Sequence, residues 1–432
     1  MIKRLLLIAV ISFLVGEIVV YGVRLSQGRI SFPSREAKQQ GDKLADVMQL
    51  INENYVTDVS VGYDELTEAA LEGIVRSLDP HSDYLSQQKY EQLITQTDQK
   101  FGGIGIQIEM KEDALVVVAP ISNTPGERAG LMRGDEIVRI NTHWVKDLSM
   151  DECLGMMRGK RRTKVDLEIF RPRTGETFQK TIIREIIKVD SVRGIKMVTD
   201  RVGYIWIALF GERTGKEFLK ALEILEEEGM TSLVLDLRNN PGGLLDAAVE
   251  VAQPFFDRGE LVVYTQGRMP ESRLEIKAKT KGARRSYPIA VLINSGSASA
   301  SEIVAGALKD TQRAVIVGET SFGKGSVQRI FPLSGDEALR LTTSLYYTPG
   351  GELIHGNGVE PHILMALSAE EDQNVLLQRS RLEVMSIGEF AEEFGFDPIE
   401  DSQLKAAIDA LEGVSVFEEA RLIKPVDELT VR

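Results

Sequence analysis

Residues 288–310, PIAVLINSGSASASEIVAGALKD, run an apolar strand into a patch of small residues and serines and then into a helix. Working outward, Arg313–Val317 reads as the next strand, and upstream Val202–Phe210 and Ser232–Leu237 read as strands flanking a helix over Thr214–Glu228. LLDAAVEVAQPFF then reads as a further helix before the strand LVVYT. Strand, helix and strand repeated in this way describe an α/β domain, a sheet sandwiched by helices.

The chain changes character on either side of this core. Phe101 to about Arg173 alternates with period two between glycine turns, as in FGGIGIQIEM and TKVDLEIFRP, which predicts a compact β-rich module. From Glu36 to Gln99 apolar residues recur at helical spacing (Leu44, Val47, Met48, Ile51) and predict a small helical domain. After Leu367 an acidic, helix-patterned tail is expected as an accessory or oligomerisation element. At the other end Met1–Arg4 is basic and Leu5–Val23 almost wholly apolar, long enough to cross roughly 30 Å of hydrocarbon as a helix. The expected organisation is a signal anchor or signal peptide over 1–25, a helical domain over 36–99, a β-rich domain over 100–173, the α/β core over 174–367 and a helical region over 368–432. An exported protein follows, periplasmic or extracytoplasmic and tethered to the inner membrane, although Glu17 is a costly residue at membrane depth.

With 432 residues, 43% hydrophobic and 27% charged, the chain is an ordinary multidomain globular protein. A net charge of −14 argues against nucleic acid as a partner, and the basic run Arg158–Lys164 is short enough to be a solvated loop. The single cysteine, Cys153, excludes an intrachain disulfide and lies in a helical apolar pattern that suits core packing. No metal or other cofactor is implied.

Three segments could carry chemistry. A serine at the strand-to-helix junction, such as Ser299, can point out of the sheet while helix N-terminal amides face an oxyanion, yet Ser299 and Glu302 also have the Ser-x-x-Glu spacing of a simple capping box. In GETSFGKGSVQ (Gly318–Gln328), Lys324 sits among glycines, where burial could depress its pKa enough for it to act as a base. In LVLDLRNNPGGLLDAA, the pair Gly242-Gly243 offers backbone amides at a second strand-to-helix junction, or merely a tight turn.

Rival motifs share the same lysine. Gly318–Lys324 fits a phosphate-binding loop, but Gly325 stands where Ser or Thr must hold magnesium, and the following residues alternate like a strand. Ser321 and Lys324 fit the Ser-x-x-Lys of penicillin-interacting acyl enzymes, but Gly323 and Gly325 oppose the helix that motif needs, so Ser321 stands second to Ser299. A Ser-His-Asp triad lacks its Gly-x-Ser-x-Gly elbow beside His81, His143, His355 or His362. His81 reads as structural.

Gly102-Gly103-Ile104-Gly105-Ile106, Glu127–Leu131 and Gly134–Val138 occur in the order that resembles a PDZ domain, whose loop amides hold a terminal carboxylate while the next strand accepts a peptide by edge addition. SLDPHSDYL, this module, DLRNNPGG, NSGSASASEIVAGAL, GETSFGKGSVQ and YYTPGG follow the order of the C-terminal processing peptidases, or tail-specific proteases, over residues 40–367. The resemblance implies a crotonase-like (ClpP/crotonase-type) core and a serine endopeptidase that cuts protein substrates near their C-termini. It makes Ser299 the nucleophile, Lys324 the general base and Gln328 the support of the lysine, with Ala300 and either Gly242 or Gly243 as oxyanion donors. Gly102, Gly103, Ile104, Gly105 and Ile106 would bind free apolar C-termini. It also leaves room for a homo-oligomer through the helical termini and for an activating adaptor. The chain departs from the family at HGNGVEPHI, where a polar residue more often replaces His355 and an aspartate His362. The opposing expectation is a non-catalytic PDZ scaffold.

Overall fold

The computed structural model describes residues 34–56, 62–97, 100–111, 114–121, 123–188, 190–279 and 284–422. The expected anchor over 1–25 lies outside the described residues, among which no helix is long and apolar enough to cross a membrane. The chain divides into two units, Met1–Pro80 and His81–Arg432. The first contributes helices α1 (Arg35–Asn54) and α2 (Tyr63–Arg76).

The second unit opens with strand β1 (Asp83–Leu85) and helix α3 (Gln87–Thr97). Strand β1 draws part of the helical region expected over 36–99 into the second unit, since its three residues pair antiparallel with Ala338–Arg340. Ser82 Oγ accepts the Thr342 N–H at 3.0 Å, which ties the segment 81–85 into the rest of this unit.

The β-rich module comprises β2 (Lys100–Gly103), β3 (Ile106–Lys111), β4 (Ala114–Pro120), β5 (Glu136–Ile140), helix α4 (Met150–Met157), β6 (Lys164–Arg171), β7 (Glu176–Ile183) and β8 (Glu185–Lys188). Its main sheet runs β3-β4-β5-β6-β7, and β2 pairs with β8. The module therefore continues past the expected limit at Arg173, because PRTG is the turn of the β6–β7 hairpin, closed by Gly175 N–H to Arg171 C=O at 2.9 Å. Inward residues Leu115, Val117, Ile137, Val165, Leu167 and Ile169 make its core, and Cys153 of α4 is fully buried among them. Arg158–Lys164 is exposed, as a solvated loop should be.

The α/β core follows with β9 (Val192–Met197), β10 (Val202–Ile207), α5 (Thr214–Glu227), β11 (Ser232–Asp236), α6 (Leu245–Ala252), β12 (Leu261–Gly267), β13 (Leu274–Lys277), β14 (Ile289–Ile293), α7 (Ala300–Asp310), β15 (Ala314–Gly318), β16 (Ser326–Pro332), β17 (Ala338–Tyr347) and β18 (Ile363–Leu364). A six-stranded sheet runs β9-β10-β11-β14-β15-β18, parallel except for the β9–β10 pair. Every residue of β10, β11 and β14 is buried, the continuous apolar pattern of strands covered on both faces. Helices α5, α6 and α7 cover one face through Phe218, Leu222, Val251 and Ile303. A second sheet, β1-β17-β12-β13 with β16 on β17, carries the chain from Lys324 onward.

The last helices, α8 (Ala369–Arg381), α9 (Ile387–Phe394) and α10 (Ser402–Leu422), make up the described part of the tail expected over 368–432, and α10 packs directly on the core. Ala407 and Leu411 of α10 are buried against Tyr204, Trp206, Val234, Ala290 and Leu292, so this helix is the sheet's second covering layer. The acidic surface of the tail hid that apolar face. Arg238, fully buried, binds Asp236 and Asp401 at 2.7 Å each and locks the tail to the end of β11. Arg381 of α8 also pairs with Glu109 of β3 at 2.8 Å, joining the β-rich module to these helices.

Candidate active site

Two loops leave the C-terminal ends of neighbouring parallel strands, residues 237–244 after β11 and 294–299 after β14. Side chains stitch them together. Asn294 Oδ1 accepts the Asn239 N–H at 2.8 Å, and Ser297 Oγ donates to Leu237 C=O at 2.8 Å. Ala298 N–H and Ser301 Oγ both donate to Asn240 C=O, at 3.0 and 2.9 Å. The result holds Gly242 against the Ser299 turn so closely that a Cβ there would lie 2.8 Å from Ser299 Cβ and 2.9 Å from Ala300 N.

Ser299, half-buried at the start of α7, adopts φ 54°, ψ −109°. A non-glycine residue there stores about 1–3 kcal/mol of strain, tolerated only where its surroundings over-determine it. Glu302 is the main constraint. Its fully buried carboxylate accepts Ser299 N–H at 2.7 Å, Lys324 N–H at 2.9 Å, and Gly323 N–H and Ser321 Oγ at 2.6 Å each. Burial pushes this carboxyl above its ordinary range, while those four donors favour the charged form. One side chain thus fastens the Ser299 turn to the Gly-rich turn that presents Lys324.

Lys324 is half-buried, and among the described residues its Nζ has no hydrogen bond or ion pair. Burial, then the Arg340 guanidinium, lowers its pKa, with Glu302 acting in the opposite sense. Arg340 is itself held by Asp83 at 3.5 Å.

The backbone amides of this site differ in their engagements. Gly242 N–H donates to Asn240 Oδ1 at 2.9 Å. Among the described residues Gly243 N–H and Ala300 N–H make no hydrogen bond, and Gly243 is solvent-accessible. The Ser321 hydroxyl, buried, donates to Glu302 and accepts Val359 N–H at 2.7 Å, which commits it structurally, and no helix spans Ser321–Lys324. Gln328 does not meet the lysine by a hydrogen bond: its amide donates to Ser326 Oγ at 2.8 Å and to Thr342 Oγ1 at 3.5 Å. His81 and His355 stack edge to face with ring centres 6.4 Å apart, and His362 Nδ1 accepts Ile316 N–H.

The Gly102–Ile106 segment lies far from these groups in the chain and has its own anchoring. Gly105, at φ 73°, packs where a Cβ would fall 2.3 Å from Thr124 Cβ. Its carbonyl accepts Ile121 N–H and Thr124 Oγ1, and the Ile104 carbonyl accepts Gly126 N–H at 2.7 Å. Among the described residues the Ile104 and Gly105 amides make no hydrogen bond, and β3 beyond them is an edge strand.

Sequence reasoning missed the carboxylate of Glu302 as an organiser, taking it for a cap, and missed Asn240, Asn294, Ser297 and Arg340. The polar run NSGS between a buried strand and a helix was the available signal, because buried Asn and Ser need partners.

Residues 201–365 match the Peptidase family S41, and residues 102–181 match a PDZ domain. A carboxy-terminal-processing protease of Bartonella bacilliformis is 36% identical over 429 residues, covering 96% of each chain. The carboxy-terminal processing protease CtpA of Bacillus subtilis is 33% identical over 339 residues, covering 78% of this chain and 72% of the relative. Among solved structures, a photosystem II D1 C-terminal processing protease is 28% identical, with TM-score 0.43, covering 74% of this chain and 92% of that one.

Proposed function

The chain belongs to the carboxy-terminal-processing serine peptidases of family S41 and carries a PDZ domain, and on that premise we propose that it cleaves protein substrates near their C-termini with a Ser299/Lys324 dyad. The observation that carries the dyad is the Glu302 carboxylate, which binds the amides of both residues within 2.9 Å. Neutral Lys324 takes the Ser299 proton as Oγ attacks the scissile carbonyl, then returns it to the leaving amine. Water hydrolyses the acyl-Ser299 ester in a second cycle with the same base. The tetrahedral oxyanion is received by Ala300 N–H and Gly243 N–H. Gly243 is preferred to Gly242, whose amide is already engaged by Asn240. Gln328 acts on the lysine indirectly, through the Ser326 segment.

The PDZ loop Gly102–Ile106 captures a free apolar C-terminus, and β3 pairs with the tail as an added strand. The core is of the crotonase-like type, with a helical N-terminal region. Residues 1–25 act as an export signal or anchor, placing the peptidase outside the cytoplasm. Assembly through the helical termini and an activating adaptor extend the same reading.

Rapid acid quench during peptide turnover, followed by peptide mapping, tests the chemistry. The acyl group is expected on Ser299. Its appearance on Ser321 would overturn the assignment, and turnover with no acylated serine would favour the scaffold reading with contaminating activity.

A further inference from the structure

Phe322 lies between Ser321 and Lys324, on the turn that Glu302 holds, and its side chain is 62% exposed. Single exposed apolar side chains are common and mean little alone. Here the surrounding backbone is fixed on every side. Phe322 N–H donates to Ser297 C=O at 2.9 Å, Ser321 N–H to Val359 C=O at 3.2 Å, and Gly356 N–H to Gly323 C=O at 2.9 Å. Ser321, one residue before, is 7% exposed. The ring is therefore carried in water by a turn whose own amide is hydrogen-bonded to Ser297, two residues before Ser299, and which reaches Lys324 two residues later.

A large rigid aromatic has two torsions to immobilise and much apolar area to offer, so it gains most when a substrate side chain covers it. The nearby Gly242-Gly243 loop leaves only backbone beside Ser299, and Leu244 after it is half-buried. On the turn between Ser297 and Lys324, Phe322 presents an uncovered apolar side chain, larger in its exposed fraction than Ile330 or Phe331 farther along the next strand.

Resting on the Ser299/Lys324 reading, we propose that the Phe322 ring is the wall of the subsite that receives a side chain flanking the scissile bond, so that this peptidase selects apolar residues there. The selection is additional to any recognition of the C-terminal tail by the PDZ domain. It identifies the substrate class as proteins with an aliphatic or aromatic residue at the cut.

The test uses the full-length protein and peptides sharing one C-terminal tail that differ only in Leu, Ala or Lys at the first residue on either side of the bond. For wild type, kcat/KM for Leu exceeds that for Ala at one of the two positions. In Phe322→Ala that ratio falls about tenfold or more, the scale of an apolar subsite contact, while Phe322→Leu keeps most of it. Phe322→Glu turns the preference toward Lys at the same position, a gain that partial unfolding cannot produce. A ratio unchanged in Phe322→Ala, with all peptides slowed by a common factor, overturns the proposal, as does a wild type indifferent to both positions. Ser299→Ala is measured alongside: cleavage persisting there refutes the nucleophile whatever the Phe322 ratios, so the two failures are told apart.

Discussion

At the Ser299 turn side chains hold the backbone, whereas at the Gly102–Ile106 loop the backbone is held largely by other backbone. Glu302, Asn240, Asn294, Ser297 and Ser301 all bond main-chain groups around Ser299. Around the peptide loop, Thr124 is the side chain that joins carbonyl-to-amide bonds from Ile121 and Gly126. The first site keeps a serine at positive φ and the second a glycine. Chemistry needs fixed donors and a fixed nucleophile, while tail recognition needs an open sheet edge that a new strand can join. Substitutions should therefore fall steeply on rate at the first site and gently on KM at the second.

The largest effect tests the dyad. Ser299→Ala and Lys324→Ala each lower kcat by about 10⁴-fold or more, and the double variant is scarcely worse than either, because residues acting as a unit are non-additive. Ser321→Ala keeps substantial activity but unfolds at lower denaturant, having stripped Glu302 and Val359 N–H of a partner. Independent, multiplying losses in the double variant would break the claim that the two groups act together.

Glu302 comes next. Glu302→Gln removes the charge but keeps an acceptor, and is expected to lower kcat about 10²-fold with a folded protein. Glu302→Ala leaves buried donors from Ser299, Gly323 and Lys324 without a partner, each worth about 1–3 kcal/mol, and should lower stability markedly as well. Equal kcat in wild type and Glu302→Gln would mean that a hydrogen-bond acceptor alone suffices.

The peptide loop should respond differently. Amidating a substrate's C-terminus, or changing Gly105 to Ala against Thr124, is expected to raise KM about tenfold and to move kcat far less. A kcat collapse from either change would erase the distinction between the two regions.

The pH profile sharpens the comparison from the chemical side. Lys324 must be neutral to take the serine proton, so kcat/KM rises with pH through a lysine pKa lowered by burial and by Arg340. A neighbouring cation disfavours the ammonium, so Arg340→Ala raises that pKa and moves the rising limb to higher pH, slowing the reaction a few-fold at neutral pH. A limb that stays in place, or moves acid, would falsify Arg340's influence on the base.

The parts legible in the sequence were those with local signatures. The continuous apolar run of β14 and the small-residue start of α7 put Ser299 at a strand-to-helix junction, its role being implied only by the family resemblance, and the glycines around Lys324 opposed a helix there. What could not be read depended on contacts across the chain. Glu302 looks like a cap because its first partner is three residues away, and only folding brings Lys324 N–H to the same carboxylate. The C-terminal helices looked peripheral because their acidic exposed faces outweigh Ala407 and Leu411 in the pattern. The bond from Gly242 N–H to the Asn240 side chain, which distinguishes the Gly242 amide from that of Gly243, is one that no spacing reveals.

The smallest effect concerns strain, and it separates the two regions by their backbone alone. Ser299→Gly and Ser299→Ala both delete the hydroxyl, so both are inactive and their difference reports the backbone. Glycine adopts φ 54°, ψ −109° freely, whereas alanine keeps the strain that serine bears. Against this, glycine loses more conformational freedom on folding, by roughly 0.5–1 kcal/mol. With about 1–3 kcal/mol of strain relieved, the glycine variant should be the more stable of the two by about 1 kcal/mol in denaturant unfolding. Gly105→Ala in the PDZ loop should have the opposite sign, since it introduces strain at φ 73° and crowds Thr124. Equal unfolding midpoints for the two Ser299 variants would show that the turn is relaxed, and that Glu302 holds the nucleophile in place without opposing any backbone preference.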